Sequence, residues 1–134
     1  MATVKVKLKV HSSDVLPISL NIDEEKDIEL TGDNAKVAQS GQLTVTTTAI
    51  TINSEMDGGV DNRALVYIKN TGVVASSGVS ADPNIIVDDE TSPIMDIAPG
   101  EFVWFSYNGG ANSTLTVETA SGTGYCDFFI AELT

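Results

Sequence analysis

The sequence has little reactive or basic chemistry, with one cysteine and one histidine among 134 residues. A single cysteine excludes an internal disulfide framework. Lys and Arg number 7 against 19 Asp and Glu, which gives a net charge of −12. Because a surface of that charge repels nucleic acid and anionic membranes, we expect neither as a partner.

Long apolar runs are also missing. The first ten residues, MATVKVKLKV, lack the apolar core of a signal peptide, and no stretch approaches the roughly 18 apolar residues of a membrane span. We therefore expect a protein that is made and kept soluble in a cytoplasm. The length suits one domain with a single core.

Catalytic and metal-binding patterns are scarce. His11 and Cys126 lie far apart in the sequence, and a buried structural thiol is the favoured interpretation of Cys126. Nucleophile-elbow, phosphate-loop and zinc-ligand spacings do not occur. Acidic clusters at 57–62 and 82–90 offer oxygen ligands for calcium, although solvated loops explain them better. We predict a protein that is not an enzyme and needs no cofactor or metal.

Short segments with β-strand periodicity are what the sequence does contain. Residues 3–11 alternate strictly between apolar side chains and lysine or histidine, which predicts a half-buried strand. Residues 15–22 continue this pattern, with Pro17 favouring an edge strand. Residues 24–33 indicate a short strand or helical turn followed by a loop.

The apolar positions of residues 42–53 change parity. Leu43 and Val45 occupy odd positions, whereas Ile50 and Ile52 occupy even ones. This shift predicts a bulge, or a strand that changes sheet, near residues 47–49.

Turn residues separate the remaining apolar segments. Ala98-Pro99-Gly100 predicts a turn, and Asn108-Gly109-Gly110 predicts a hairpin loop. The patterns together predict eight to ten short strands, and no segment has a helical period. We therefore predict an all-β, antiparallel, jelly-roll-like β-sandwich. We expect one domain over 1–134, with 1–12 as a basic N-terminal strand or arm. The further predicted strands are 63–69, 84–87, 94–97, the segment after Gly100, 114–118 and 125–132.

Half of the eight aromatic residues lie in the stretch EFVWFSYNGG, residues 101–110. Apolar residues at consecutive positions from Phe102 to Phe105 predict apolar surface on both faces of one strand. One face is expected to meet the core, and the other a covering loop or another subunit, with a ligand platform least favoured. We expect Trp104 and Tyr107 to be buried, which disfavours a sugar-binding platform.

The basic residues are concentrated near the N-terminus, where Lys5, Lys7 and Lys9 supply three of the seven. A cationic strand on an anionic chain predicts docking onto acidic residues, either its own or those of a neighbouring copy. An edge strand protected by lysines is the alternative. The predicted partner-contact residues are Val4, Lys5, Val6, Lys7, Leu8, Lys9, Phe102 and Trp104.

Three stretches, RALVYIKNTG, DIAPGEFVWFSY and TLTVETASGTGYCDFFIAEL, carry a resemblance that covers residues 63–133. This pattern of strands and turns resembles small virion proteins of tailed bacteriophages, particularly capsid decoration (cement) proteins. The resemblance implies a β-sandwich without catalytic residues that binds the outside of an icosahedral shell as a symmetric oligomer.

The expected function is therefore decoration and stabilisation of a phage capsid exterior, by a protein made in the host cytoplasm. The expected partners are the major capsid protein and further copies of the chain, with a trimer favoured. In the expected mechanism the N-terminal strand adds to a sheet edge while its lysines pair with acidic residues of a copy or of the shell. A tail or fibre component, and a carbohydrate- or calcium-dependent recognition module, are the alternatives.

Overall fold

The computed structural model describes residues 2–12, 20–30, 38–52, 63–72, 83–89, 91–108 and 114–133. Ten strands and no helix occur within these ranges, and every strand pair is antiparallel. The predicted all-β antiparallel fold is confirmed. The chain divides into two compact units, Met1–Ala35 and Lys36–Thr134.

The first unit contains a two-stranded antiparallel sheet. Strand β1 (Ala2–Ser12) pairs along its whole length with β2 (Leu20–Leu30). The alternative of a helical turn within residues 24–33 is wrong, because residues 24–30 are all strand. Glu25 and Asp27 lie in register with Lys7 and Lys5 of β1, which favours pairing over a helix. Pro17 falls outside the described residues.

The second unit is a sandwich of two four-stranded sheets. The first sheet has the order β3-β10-β5-β8 and the second has the order β4-β9-β6-β7. Each sheet takes strands from both halves of the unit, so that most neighbours are distant in sequence, as in a jelly roll. This confirms the jelly-roll-like prediction. The strands are β3 (Ala38–Val45), β4 (Ile50–Thr51), β5 (Arg63–Asn70), β6 (Ile85–Asp88), β7 (Pro93–Ile97), β8 (Phe102–Asn108), β9 (Thr116–Glu118) and β10 (Gly124–Leu133).

The predicted change of sheet near residues 47–49 is confirmed. Strand β3 belongs to the first sheet and β4 to the second, and Val45 and Ile52 are both buried. Two hydrogen bonds hold the crossing: Thr48 N donates to Thr46 Oγ1 at 3.2 Å, and Thr119 N donates to Thr46 O at 2.9 Å. The parity shift therefore marks the place where the chain passes from the first sheet to the second, and its apolar side chains point into the core on both sides of this crossing.

The prediction of a hairpin loop at Asn108-Gly109-Gly110 is wrong, because the strands before and after this segment do not pair with each other. Strand β8 pairs with β5, whereas β9 pairs with β4 and β6 in the other sheet. Residues 109–113 lie outside the described residues. An Asn-Gly-Gly sequence favours a reversal of the chain, but it does not determine whether the next strand joins the same sheet.

The hydrophobic core lies between the two four-stranded sheets and is almost entirely aliphatic. Aromatic rings lie at its margin, where Phe105, Tyr107 and Phe128 are half-buried against it. Small branched side chains suit the space of about 10 Å between packed sheets. The buried core residues are Val45, Ile52, Ala64, Val66, Ile68, Ile85, Val87, Ile97, Leu115, Val117, Cys126 and Ile130.

Asn70, at the end of β5, is fully buried and joins parts of both sheets. Its Nδ2 donates to Pro83 O and to Ile97 O, each at 3.0 Å, and its Oδ1 accepts from Gly72 N at 3.1 Å. Both amide protons and the carbonyl oxygen therefore have partners, as a buried amide requires. The side chain links the end of β5 to the start of β6 and the end of β7.

Backbone hydrogen bonds complete this corner. Asn70 N donates to Glu101 O at 3.0 Å and Gly100 N donates to Asn70 O at 2.8 Å. Gly72 and Gly100 have φ of 56° and 85°, a region that favours glycine. Thr71 donates from both its N and its Oγ1 to Tyr125 O, each at 3.0 Å. The three stretches that carry the family resemblance thus meet at one corner of the sandwich.

Replacing Asn70 is expected to destabilise the fold. In Asn70→Ala the carbonyls of Pro83 and Ile97 lose a buried donor, and we expect a loss of about 2–3 kcal/mol in the free energy of unfolding. Urea unfolding measures this value. The exposed Asn84 is the matched control, and Asn84→Ala should change stability by less than about 0.5 kcal/mol. Equal effects of the two substitutions would contradict the role given to Asn70.

Candidate partner-binding surfaces

Strand β8 presents apolar side chains on both faces, as predicted. Val103, Phe105 and Tyr107 pack against the core. Phe102 and Trp104 point to the opposite face and keep 60% and 39% of their surface exposed. The part of the chain that the structure describes therefore leaves the second face of this strand largely uncovered.

Tyr67 joins these two rings into one patch. The register places Tyr67 of β5 opposite Trp104, with ring centroids 6.2 Å apart, and the Phe102 ring lies 6.1 Å from Tyr67. Such distances are those of interacting aromatic pairs. We call Tyr67, Phe102 and Trp104 the aromatic patch.

The apolar surface continues inward from the aromatic patch across the same face of the sheet. Register places Phe129 of β10 beside Tyr67, and Ala131 beside Leu65. Leu65 and Ala131 are buried although they do not belong to the core between the sheets. The outer face of the first sheet is thus apolar over three strands, and its exposed margin lies at the edge strand β8.

Charged side chains of both signs border the aromatic patch. Lys69 pairs in register with Phe102 on one side and with Asp127 on the other. Asp127 Oδ1 is inaccessible to solvent and accepts no hydrogen bond among the described residues. Aromatic residues with polar or charged residues at their border are the composition found in protein interfaces.

The expectation that Trp104 and Tyr107 are both buried is wrong for Trp104. Tyr107 is half-buried against the core, whereas Trp104 is exposed on the other side of the sheet. Successive residues of a strand face opposite sides, and Trp104 and Tyr107 are three positions apart, so these two rings cannot form one platform. The Trp104 and Tyr67 rings are inclined by 55°, which does not provide a flat stacking surface for a sugar.

The lysines of β1 find acidic partners within their own two-stranded sheet. Lys5 Nζ lies 2.6 Å from Glu25 Oε1 and 3.4 Å from Asp27 Oδ1, and Lys7 Nζ lies 2.7 Å from Glu25 Oε2. Hydrogen bonds from Lys5 and then Lys7 lower the pKa of Glu25, and Glu25 followed by Asp27 raises the pKa of Lys5. Lys9 is exposed and lies in register with Asp23.

The other face of this sheet carries apolar side chains together with two charged ones, Glu24 and Lys26. Val6 and Val10 of β1 and Ile22 of β2 are half-buried. Leu8, at the middle of the row, keeps 47% of its surface exposed. The side chain of Val4 lies outside those that the structure describes, and its backbone pairs with Ile28.

Cys126 is buried, as predicted for a structural thiol. Burial, followed by the negative charge of Asp127, raises the pKa of Cys126 to about 11. A thiol of that pKa carries almost no thiolate at neutral pH, so Cys126 is a poor nucleophile. His11 lies in the other compact unit and is exposed.

Asp89 caps a loop. Its Oδ1 accepts from Thr91 N at 3.0 Å, from Ser92 N at 3.2 Å and from the Thr91 hydroxyl, which lower the pKa of Asp89. Residues 57–62, the other predicted acidic cluster, lie outside the described residues, as do Asp82 and Glu90. Among the residues described, no three His, Cys, Asp or Glu side chains group as metal ligands. The described residues also include no helix that is long and apolar enough to cross a membrane.

Comparison with models of protein families gives no match. Comparisons with curated proteins and with solved structures give none either.

Phe102 and Phe105 provide a matched test of the two faces of β8. Phe105→Ala removes a ring from the core margin and should cost at least about 2 kcal/mol of unfolding free energy. Phe102→Ala removes an exposed ring and should cost less than about 1 kcal/mol. Urea unfolding of the two variants measures the difference. Equal losses would show that both rings are buried.

The Lys5–Glu25–Lys7 cluster predicts a pH dependence of the first unit. Because the pKa of Glu25 is lowered on folding, its stabilising effect is present above its unfolded pKa and is lost as the pH falls through the folded one. Amide hydrogen exchange of β1 and β2 should therefore be less protected at pH 3 than at pH 6. Glu25→Gln should reduce this difference, and equal pH dependence in the variant would contradict it.

Proposed function

We propose that this chain is a non-enzymatic structural protein that binds the exterior of a phage capsid and stabilises the shell. The observation that carries the proposal is the aromatic patch on the outer face of a jelly-roll sheet. The resemblance of residues 63–133 to capsid decoration proteins supplies the virion context. A tail or fibre component would use the same surface.

The shape of the aromatic patch supports a protein partner. Tyr67, Phe102 and Trp104 lie on a sheet face, inclined to one another by 39° and 55° where their rings meet. Exposed aromatic rings of this kind are frequent anchors in protein interfaces, where they insert between side chains of the partner. A shell protein offers such side chains repeatedly, at every lattice position.

The charge of the chain supports the same proposal. With a net charge of −12, the protein is attracted to basic surfaces and is repelled by nucleic acid. Arginine and lysine side chains on a shell would meet both the acidic residues and the faces of Trp104 and Phe102. Because the shell presents many equivalent sites, an oligomer that engages several of them needs only a weak contact at each.

Co-sedimentation with capsid shells tests this proposal. The purified chain is mixed with empty shells assembled from the major capsid protein of the phage whose genome encodes it. We expect saturable binding to regular lattice sites. The double substitution Phe102→Ser with Trp104→Ser should weaken it by about tenfold or more, because it removes both exposed anchors.

The matched control for this experiment is Ile94→Ser. Ile94 is an exposed apolar residue of β7 in the other sheet, with 38% of its surface accessible. This variant should bind shells as the unsubstituted chain does. Absence of binding by the unsubstituted chain would contradict the proposed function, and equal binding by the double variant would contradict the role of the aromatic patch.

A further inference from the structure

On the apolar face of the two-stranded sheet, the residue types of β2 are arranged symmetrically about the centre of the strand. Alternate positions of β2 are symmetric about Glu25: leucine corresponds to leucine, isoleucine to isoleucine, and glutamate to lysine of opposite charge. These positions are Leu20, Ile22, Glu24, Lys26, Ile28 and Leu30.

Strand β1 shares this symmetry and its centre. The register places Lys7 opposite Glu25, the centre of the β2 pattern. On either side of Lys7 the apolar face carries Val6 and Leu8, and then a valine at each of positions 4 and 10. The residue patterns of both strands are therefore symmetric about the same point, the Lys7–Glu25 pair.

Among the described residues, no ion pair involves the two charges at the centre of this face, Glu24 and Lys26. Glu24 and Lys26 are exposed and lie in register with Leu8 and Val6. The ion pairs found among the described residues of this sheet involve Lys5 and Lys7, on the opposite face. The apolar row thus has one positive and one negative charge about 7 Å apart along the strand.

This face needs a cover. A two-stranded sheet is only marginally stable alone, and its apolar face gains most from burial. Leu8, the largest side chain described on the β1 row, keeps 47% of its surface accessible. A cover must also supply a positive charge near Glu24 and a negative charge near Lys26.

We propose that a second copy of the chain covers this face. The two copies pack face to face about a two-fold axis that lies between the two faces, runs perpendicular to the strands and passes at the level of Lys7 and Glu25. This axis lays β2 over β2 in the opposite direction, so Glu24 of each copy meets Lys26 of the other, twice. The same axis places positions 20 and 22 of β2 over positions 30 and 28 of the other copy, so each leucine or isoleucine position lies over one of the same type. The same face of a second copy therefore supplies both the apolar cover and the two charges.

The charges also select this arrangement over the other face-to-face one. A two-fold axis parallel to the strands lays β1 over β2, which brings Glu24 against Leu8 and Lys26 against Val6. Both charges would then be desolvated against apolar side chains without a partner, which is unfavourable. The perpendicular axis pairs them.

The size of this contact fits an assembly role. Eleven residues of strand are about 36 Å long, and two strands are about 10 Å wide, so each copy contributes about 360 Å² and the contact falls in the range of weak protein associations. A contact of this size becomes effective when copies are held close together on a lattice. The inference rests on the homo-oligomer of the proposed function and is independent of the identity of the shell.

Charge reversal in the full chain tests the contact, with self-association measured by analytical ultracentrifugation over a range of concentrations. Glu24→Lys or Lys26→Glu alone places like charges together twice, and each should weaken dimerisation by about tenfold or more. The double variant E24K/K26E restores opposite charges and should dimerise within about threefold of the unsubstituted chain. An equimolar mixture of the two single variants should form heterodimers.

The exchange of Lys9 and Asp23 is the matched control. These residues face each other on the opposite side of the sheet, and K9D/D23K should leave self-association unchanged. Circular dichroism checks that each variant is folded, and the mixed single variants keep the test decisive if one is less stable alone. A chain that is monomeric at all concentrations would overturn the proposal. Single reversals without effect, or a double variant that is not restored, would do the same and would assign the face to another part of the chain or to the shell protein.

Shell binding by the same variants separates this inference from the proposed function. If the variants bind shells but their self-association does not change with the charge reversals, the two-fold contact is overturned and the decoration function is left intact. Self-association that follows the charge pattern in a chain that does not bind shells would support the contact and contradict the decoration function.

Discussion

The sandwich depends on the buried side chain of Asn70, which holds together backbone segments from both sheets. Its amide is the donor for Pro83 and Ile97, and its backbone joins the turn before β8. A buried polar group is stable only when every hydrogen bond is made, so this corner permits one relative position of the strands that meet there. Strand β8 leaves that corner with its apolar residues divided between the core and the outer face.

Local periodicity predicted the strands in which apolar and polar side chains alternate along the sequence. The strict pattern of residues 3–11 predicted β1, and the parity change between Val45 and Ile50 predicted the transfer from one sheet to the other. Strand β2 was predicted only in part, as the continued pattern of residues 15–22 and as one of two alternatives for residues 24–33. The lysines that oppose its acidic residues lie in another strand, which a local pattern does not contain. The pairing of β8 and the exposure of Trp104 depend on which sheet faces which, and this arises from long-range packing rather than from neighbouring residues.

The distribution of charge connects the structure to the proposed function. Lys5 and Lys7 are paired with Glu25 within their own sheet, so part of the scarce positive charge serves local pairing. The chain keeps a strong negative charge, which favours basic partners. Its exposed apolar residues are arranged on sheet faces, so they suit extended contacts with proteins. The two proposals rest on two such surfaces, the self-complementary face of the first unit and the aromatic patch of the second, each with its own chemistry.

The most direct test of the central claim uses Trp104, the single tryptophan of the chain. Its fluorescence can be quenched by acrylamide in the free protein, where 39% of its surface is exposed. Quenching is expected to fall several-fold when the protein is bound to capsid shells, because the aromatic patch is then covered. Shell-bound protein whose Trp104 remains as accessible as in the free chain would contradict the claim that this patch is the binding surface.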